Sequence, residues 1–161
     1  MIEVRPFTPA DADAVAVAIV DSSIWHAGLE PERYEVLDPA TVADDYRHGR
    51  QHPSGDRPSE RQTLVAELDG AVVGVANLRV VYPAGAHRPL RYGEIAEIAV
   101  AAHARRRRVG AALMSAAEEW ARAQGCAYTV LDYNARNADA GRFYRDRLGY
   151  ESAGEIVLKK L

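Results

Sequence analysis

Residues 93–124 read GEIAEIAVAAHARRRRVGAALMSAAEEWARAQ, and the fold turns on this stretch. Ile95, Ile98 and Val100 make its first part an apolar strand, bounded upstream by Gly93. Val109, Leu113, Ala116, Ala117 and Trp120 then recur at helical spacing, while Glu118, Glu119 and Arg122 fall largely elsewhere on the wheel. Gly125 is the expected helix stop. Between strand and helix, Arg105 to Gly110 set backbone N–H groups and cationic side chains at a helix N-terminus. The first-turn N–H groups of a helix are unpaired and its dipole is positive there, so the turn suits a phosphate. A solvated basic turn opening an ordinary strand–helix unit is the bland alternative.

Working outward, the chain of 161 residues and net charge −3 fits one domain, 1–161, with a real core. That charge argues against general nucleic-acid binding and makes the four arginines a local feature. A single cysteine, Cys126, excludes an internal disulfide or a cysteine zinc cluster, and the five histidines show no metal-ligand spacing. No signal peptide is visible, and nothing approaches the roughly 20 apolar residues of a membrane span, so a cytoplasmic protein is expected.

Upstream, Ile2 to Arg5 reads as a strand and Thr8-Pro9-Ala10-Asp11 as a capped helix start. Asp21-Ser22-Ser23 weakens that helix, which places Ile24-Trp25-His26 in a loop or irregular turn. A second helix is predicted from Asp38-Pro39 to about Arg50, with Val42 and Tyr46 on one side. Gln51 to Gln62 is expected to be a mobile surface loop. Thr63 to Leu68 and Ala71 to Tyr82 flank Asp69-Gly70, a strong hairpin signal, and Gly74 marks a bulge or close contact. Pro83 to Arg91 is a loop containing His87. Tyr128 to Asp132 is a further strand, Asn137 caps a helix that Gly149 stops, and Tyr150 to Leu161 suggests a closing hairpin. This order gives an α/β protein with a mixed sheet.

Two segments carry a family resemblance. Arg105, Arg108 and Gly110 resemble the Gln/Arg-x-x-Gly-x-Gly/Ala acetyl-CoA motif of the GNAT N-acetyltransferase superfamily, with Arg108 where the first glycine is usual. A second register, Arg107-x-x-Gly110-x-Ala112, matches the letters but shifts strand and helix; the first is preferred, and it requires Arg108 to turn its side chain away from the pyrophosphate. Downstream, Asn137-Ala138-Asp139-Ala140-Gly141-Arg142-Phe143-Tyr144, then Leu148-Gly149-Tyr150, is similar to the family's later motif in residues and spacing. The resemblance runs from about Thr63 to Leu161.

The resemblance implies a central mixed sheet of about six to seven strands with helices on both faces. It implies an enzyme that moves acetyl from acetyl-CoA directly to a primary amine of a small molecule or peptide. The pantetheine arm would lie between Gly93–Val100 and Tyr128–Asp132 against Ile98, Ala99 and Val100, with a backbone N–H around Ala99 or Val100 on the oxyanion. The pyrophosphate would rest on Arg105, Arg106, Arg107, Arg108, Val109, Gly110 and Ala111, and Asn137 would touch the cofactor chain. Tyr144 matches the family's tyrosine acid, against a structural tyrosine bonded elsewhere.

For a base, Glu97 is favoured over Glu94, since burial makes a carboxylate more basic. Regular alternation puts the two on opposite faces unless a bulge intervenes, and either can instead be an edge residue paired with an arginine. Trp25 and Tyr34 are candidates for an acceptor pocket. The resemblance admits a homodimer and implies no metal. Two rival readings are a non-catalytic acyl-CoA-binding module and an RNA-directed function, either plain binding or acetylation of charged tRNA by a toxin.

Overall fold

Thr8 and Asp11 cap each other: the Thr8 N–H donates to Asp11 Oδ2 at 2.8 Å and its hydroxyl at 3.0 Å. Arg5 grips the same carboxylate with both terminal nitrogens at 2.8 Å and reaches Glu67 at 2.7 Å through Nε. This clasp joins strand β1 (Ile2–Pro6) to strand β2 (Arg61–Leu68) and to the start of helix α1 (Ala12–Leu29). The Arg5 hydrogen bonds pull the Asp11 carboxyl down to about 2. A depressed carboxylate stabilises the fold above the ordinary aspartate range, and that contribution fades as pH falls through about 2.

In this computed structural model, which describes residues 1–52, 57–83, 91–154 and 156–159, five strands form one sheet in the order β1-β2-β3-β4-β5. Strand β3 is Ala71–Val81, β4 is Tyr92–Val100 and β5 is Thr129–Val130. The first four pair antiparallel and β4 pairs parallel with β5, so the sheet is mixed as expected. The Asp69-Gly70 hairpin forms with both residues at positive φ, 54° and 85°.

Helix α1 and helix α2 (Pro39–Arg47) cover one face, and helix α3 (Val109–Ala123) covers the other. Cross-strand alternation assigns the faces: Gly74 and Gly93 look to α3, whereas Asn77 looks to α2. A Cβ on Gly93 would lie 2.6 Å from the Ala121 Cβ, and one on Gly74 3.1 Å from Leu113 and Val109 side chains. These two glycines let α3 lie close on the sheet. Gly74 also adjoins the β2–β3 register shift at Ala66/Glu67, so both the bulge and the close contact are present.

Four sequence expectations need correction. Helix α1 runs unbroken through Asp21-Ser22-Ser23 to Leu29. Those polar residues are engaged in the fold: Asp21 accepts the Ala102 N–H at 2.7 Å, and Ser23 Oγ donates to the Val20 carbonyl at 2.8 Å and accepts the Leu37 N–H at 3.1 Å. Helix α2 ends at Arg47 rather than near Arg50, though Asp38 caps it as read, accepting the Thr41 N–H at 2.8 Å.

Strand β5 is paired at two residues only. The sheet therefore has five strands instead of six to seven, because the segment after Tyr150 forms no strand among the described residues. Tyr150 is drawn to the preceding helical turn, its N–H bonding the Tyr144 carbonyl at 3.0 Å, and Ile156, Val157 and Leu158 lie exposed with no apolar surface over them. The expected loop residues 53–56 and 84–90, His87 included, lie outside the described residues. Among the described residues no helix is long and apolar enough to cross a membrane.

Candidate active site

The parallel pair β4–β5 opens into a cleft. Its ladder holds only Gly93 opposite Thr129 and Glu94 opposite Val130, so β4 from Ile95 to Val100 has no ladder partner on that side among the described residues. Ala101 donates its N–H to Val73 on β3 at 2.8 Å. Alternation then turns the N–H groups of Val100 and Ile98 into the cleft and that of Ala99 toward β3. Of the two oxyanion candidates, Val100 is the one whose donor faces the open side.

Across from β3, β4 carries one extra residue. Asn77 lies opposite Glu97 and Leu78 opposite Ile95, which leaves Ala96 as a bulge. The bulge cancels the alternation, so Glu94 and Glu97 share the α1/α2 face and line one cavity of about 390 Å³ together with Gln51, Asn77, Arg79, Ala96 and Asp132. Glu94 is paired with Arg79, which is the edge ion pair weighed as its alternative role. Glu97 stands otherwise. Its Oε2 accepts from Tyr46 Oη at 3.1 Å and from Asn77 Nδ2 at 3.0 Å.

The network behind Glu97 has one direction. Asn77 Nδ2 also donates to Tyr46 Oη at 2.7 Å, and Asn77 Oδ1 accepts from Thr63 Oγ1 at 2.9 Å. Burial pushes the Glu97 carboxyl above the usual carboxylate range, and the Tyr46 and Asn77 donors hold part of that rise back. Burial likewise raises the Tyr46 phenol, with the Glu97 charge adding to it. Sequence reasoning placed Tyr46 on a helix face and passed over Asn77 and Thr63. The one signal was a buried-strand pattern, AVVGVANLRVV, interrupted by a polar Asn.

Tyr144 lies on the segment that follows β5. After β5, Asn137 caps the single turn α4 (Ala138–Gly141), its Oδ1 accepting the Ala140 N–H at 3.1 Å. A π-helical turn, Arg142–Arg147, follows and carries Tyr144. Such turns bring a side chain out of ordinary helical register. Tyr144 is 8% exposed and packs among Tyr133, Phe143 and Tyr150, with ring centroids at 5.6, 5.1 and 6.2 Å. Its hydroxyl bonds to no described residue. Burial first, then the Tyr150 and Asp132 charges, push the phenol up to about 12, so it stays protonated at working pH.

The turn below the cleft is bent through two left-handed residues, Arg106 at φ 63° and Arg108 at φ 67°. Helix α3 begins at Val109 and its first internal bond is Ala112 N–H to the Arg108 carbonyl, 3.1 Å. That leaves the N–H groups of Val109, Gly110 and Ala111 without helical acceptors, a geometry that fits a pyrophosphate.

The arginine side chains divide. Arg105 is folded onto the Val100 carbonyl (3.2 Å) and the Asp21 carbonyl (3.0 Å), over Trp25. Arg107 meets Asp69 at 3.4 Å. Arg106 and Arg108 are exposed and make no side-chain bond among the described residues. Trp25 and Tyr34 stay apart from the carboxylate cavity: Trp25 lines a separate one of about 380 Å³ with Ile24, Leu29 and Arg105, and the Tyr34 ring lies tilted against His26, centroids 5.2 Å apart.

The left-handed backbone at Arg108 explains why a glycine suits that position. A non-glycine residue there costs about 1–2 kcal/mol, offset in part by the greater freedom glycine has when unfolded. Arg108→Gly should therefore gain about 0.5–1 kcal/mol, a rise of a few degrees in Tm, while Arg108→Ala should not. Thermal melts of the two variants side by side decide it; equal melting points would remove strain as the explanation.

A mixed α/β sheet whose one parallel pair is joined at two residues only, with helix α3 following β4, is the architecture that comparison with known proteins identifies. The chain belongs to the GNAT acetyltransferase family: the model of the "Acetyltransferase (GNAT) family" matches residues 25–150. Over 89 residues it is 36% identical to the aminoalkylphosphonate N-acetyltransferase of Salmonella typhimurium, covering 55% of this chain and 56% of that protein. The chain thus spans about half the length of the curated relative it matches. Among solved structures, a tetramutant of the BH1408 protein from Bacillus halodurans is similar at TM-score 0.84 and 17% identity over 99% of both chains. The aminoglycoside N-acetyltransferase AAC(6')-Iy, solved in complex with CoA, is similar at TM-score 0.69 and 16% identity, over 100% of this chain and 95% of that one. These identities show a common fold.

Proposed function

We propose that this protein, acting as one domain, transfers an acetyl group from acetyl-CoA directly to a primary amine, with a small molecule as the first choice of acceptor and a peptide as the second. The observation that carries the reading is the Ala96 bulge, which sets a half-buried, hydrogen-bonded Glu97 beside the open edge of β4. Acetyl-CoA supplies an activated acyl group. The Val109, Gly110 and Ala111 N–H groups would hold its pyrophosphate, aided by Arg106, and the β4 edge at Ile98 and Val100 would bond the pantetheine amides. Asn137 already spends its Oδ1 as a helix cap, so its amide nitrogen is what remains for the cofactor chain.

Glu97 takes a proton from the incoming ammonium, leaving a neutral nitrogen to attack the thioester carbonyl. The Val100 N–H stabilises the oxygen that becomes negative. As the carbon–sulfur bond breaks, Tyr144 donates its phenolic hydrogen to the departing sulfur. The second proton shed by the nitrogen restores the Tyr144 phenol and the proton on Glu97 passes to solvent, so the amide keeps the acetyl group and the sulfur leaves as a thiol.

Calorimetric titration with acetyl-CoA, CoA and ATP is the first test, followed by assay of amine acetylation. Saturable binding of both CoA species at one site per chain, with ATP much weaker, is the expected result. A protein that binds acetyl-CoA yet responds in no way to Glu97→Gln and Tyr144→Phe would be the non-catalytic acyl-CoA module instead. The RNA-directed reading predicts affinity for RNA that falls steeply with salt.

A further inference from the structure

Resting on the acetyltransferase reading of the same site, the hydrogen-bond inventory of the Glu97 cavity carries a statement about its acceptor. Several of the cavity's side-chain donors are engaged. Arg79 Nε is on Glu94. Asn77 Nδ2 serves Tyr46 Oη at 2.7 Å and Glu97 Oε2 at 3.0 Å. Gln51 Nε2 meets Thr63 Oγ1 at 3.3 Å.

The Gln51 orientation is dictated by its neighbours. Thr63 spends its only hydroxyl hydrogen on Asn77 Oδ1, whose own amide nitrogen faces Tyr46 and Glu97. Thr63 Oγ1 can then only accept, so Gln51 must offer it the nitrogen and not the oxygen.

The acceptors of the cavity are in the opposite condition. Gln51 Oε1 is buried and without a donor among the described residues. Glu97 uses Oε2 alone, leaving Oε1 open. Asp132, which lines the same cavity, is exposed and has no side-chain partner among the described residues. With Arg79 neutralised by Glu94, the lining keeps two uncompensated carboxylates, Glu97 and Asp132.

Two carboxylates in one cavity favour a ligand carrying two positive charges. A phosphonate or carboxylate on the ligand would meet the like charge of these two side chains.

We infer that the acceptor is a short di- or polyamine, whose reacting nitrogen lies at Glu97 and whose second ammonium is held by Asp132. A cavity of about 390 Å³ accommodates a chain of a few carbons between two such groups. The consequence is a preference that the family membership does not contain: the amine must be twice charged, and an acidic substituent on it is penalised.

The test compares kcat/KM for putrescine, butylamine and aminoethylphosphonate on the full chain, in wild type and in Asp132→Asn. Putrescine and butylamine have the same carbon chain and differ by one ammonium. Putrescine should exceed butylamine by about five- to tenfold, the value of one partly screened ion pair, and Asp132→Asn should bring the ratio near unity. Raising the salt concentration should shrink the wild-type ratio as well.

Equal use of butylamine, or a preference for aminoethylphosphonate, would overturn the dicationic acceptor and leave the acetyltransferase reading standing. A ratio unmoved by Asp132→Asn would overturn the role of Asp132 and with it the inference. Turnover of none of the amines by a protein that binds acetyl-CoA would overturn both readings.

Discussion

Glu97→Gln should lower kcat/KM for the amine by about 10²–10³-fold near pH 7 while acetyl-CoA binding stays unchanged. The change is isosteric, and a glutamine oxygen still accepts from Tyr46 and Asn77, so the fold keeps its bonds. What disappears is the proton acceptor.

The pH dependence carries the sharper signature. In wild type the rate should climb with pH as Glu97 loses its proton, with a midpoint above the ordinary glutamate range because the group is buried. In the glutamine variant that limb should vanish.

Stability should move the other way. A carboxyl whose folded-state affinity for a proton is raised contributes most below its unfolded pKa, and the contribution is lost as pH rises through the folded value. Above that window the folded protein holds a desolvated charge that glutamine lacks. The variant should therefore melt at the same temperature as wild type or higher, measured at pH 8. An inactive variant that also melts well below wild type would speak for a structural glutamate.

Tyr144→Phe should reduce kcat by about 10²-fold with little change in the KM for acetyl-CoA. The hydroxyl bonds to no described residue, and the ring's contacts with Tyr133, Phe143 and Tyr150 survive in phenylalanine. Thermal stability should accordingly hold. Because the phenol is pushed up to about 12, it stays protonated across the assay range and the loss should be independent of pH below about that value. A variant with full kcat would remove Tyr144 as the proton donor and leave the leaving sulfur to water.

Much of the fold was legible because it follows from local chemistry. The Thr8–Asp11 box, the Asp38 cap, the Asp69-Gly70 turn and the start of α3 after the arginine run each depend on neighbours a few residues apart. Period and turn residues report such features directly. Glu97 and Tyr144 were also within reach, as a carboxylate in a strand otherwise fit for burial and as part of a spaced motif.

Other features were decided in three dimensions. Helix α1 passes through residues that disfavour helix because Asp21 and Ser23 find partners on Ala102 and Leu37. Tyr46 finds Glu97 across 51 positions of sequence, and no local pattern encodes that pairing. The short β5 follows from divergence of two strands, which the residues of either one alone do not contain.

By itself the sequence determined the strand–turn–helix at residues 93–124, the hairpin and the caps, all products of short-range period and backbone preference. Only the tertiary structure decided that Glu94 and Glu97 share a face, since a one-residue bulge arises from the register between β3 and β4. Register is a property of two strands together, and with it came the division of labour: Glu94 closed by Arg79, Glu97 left with one oxygen open to the cavity.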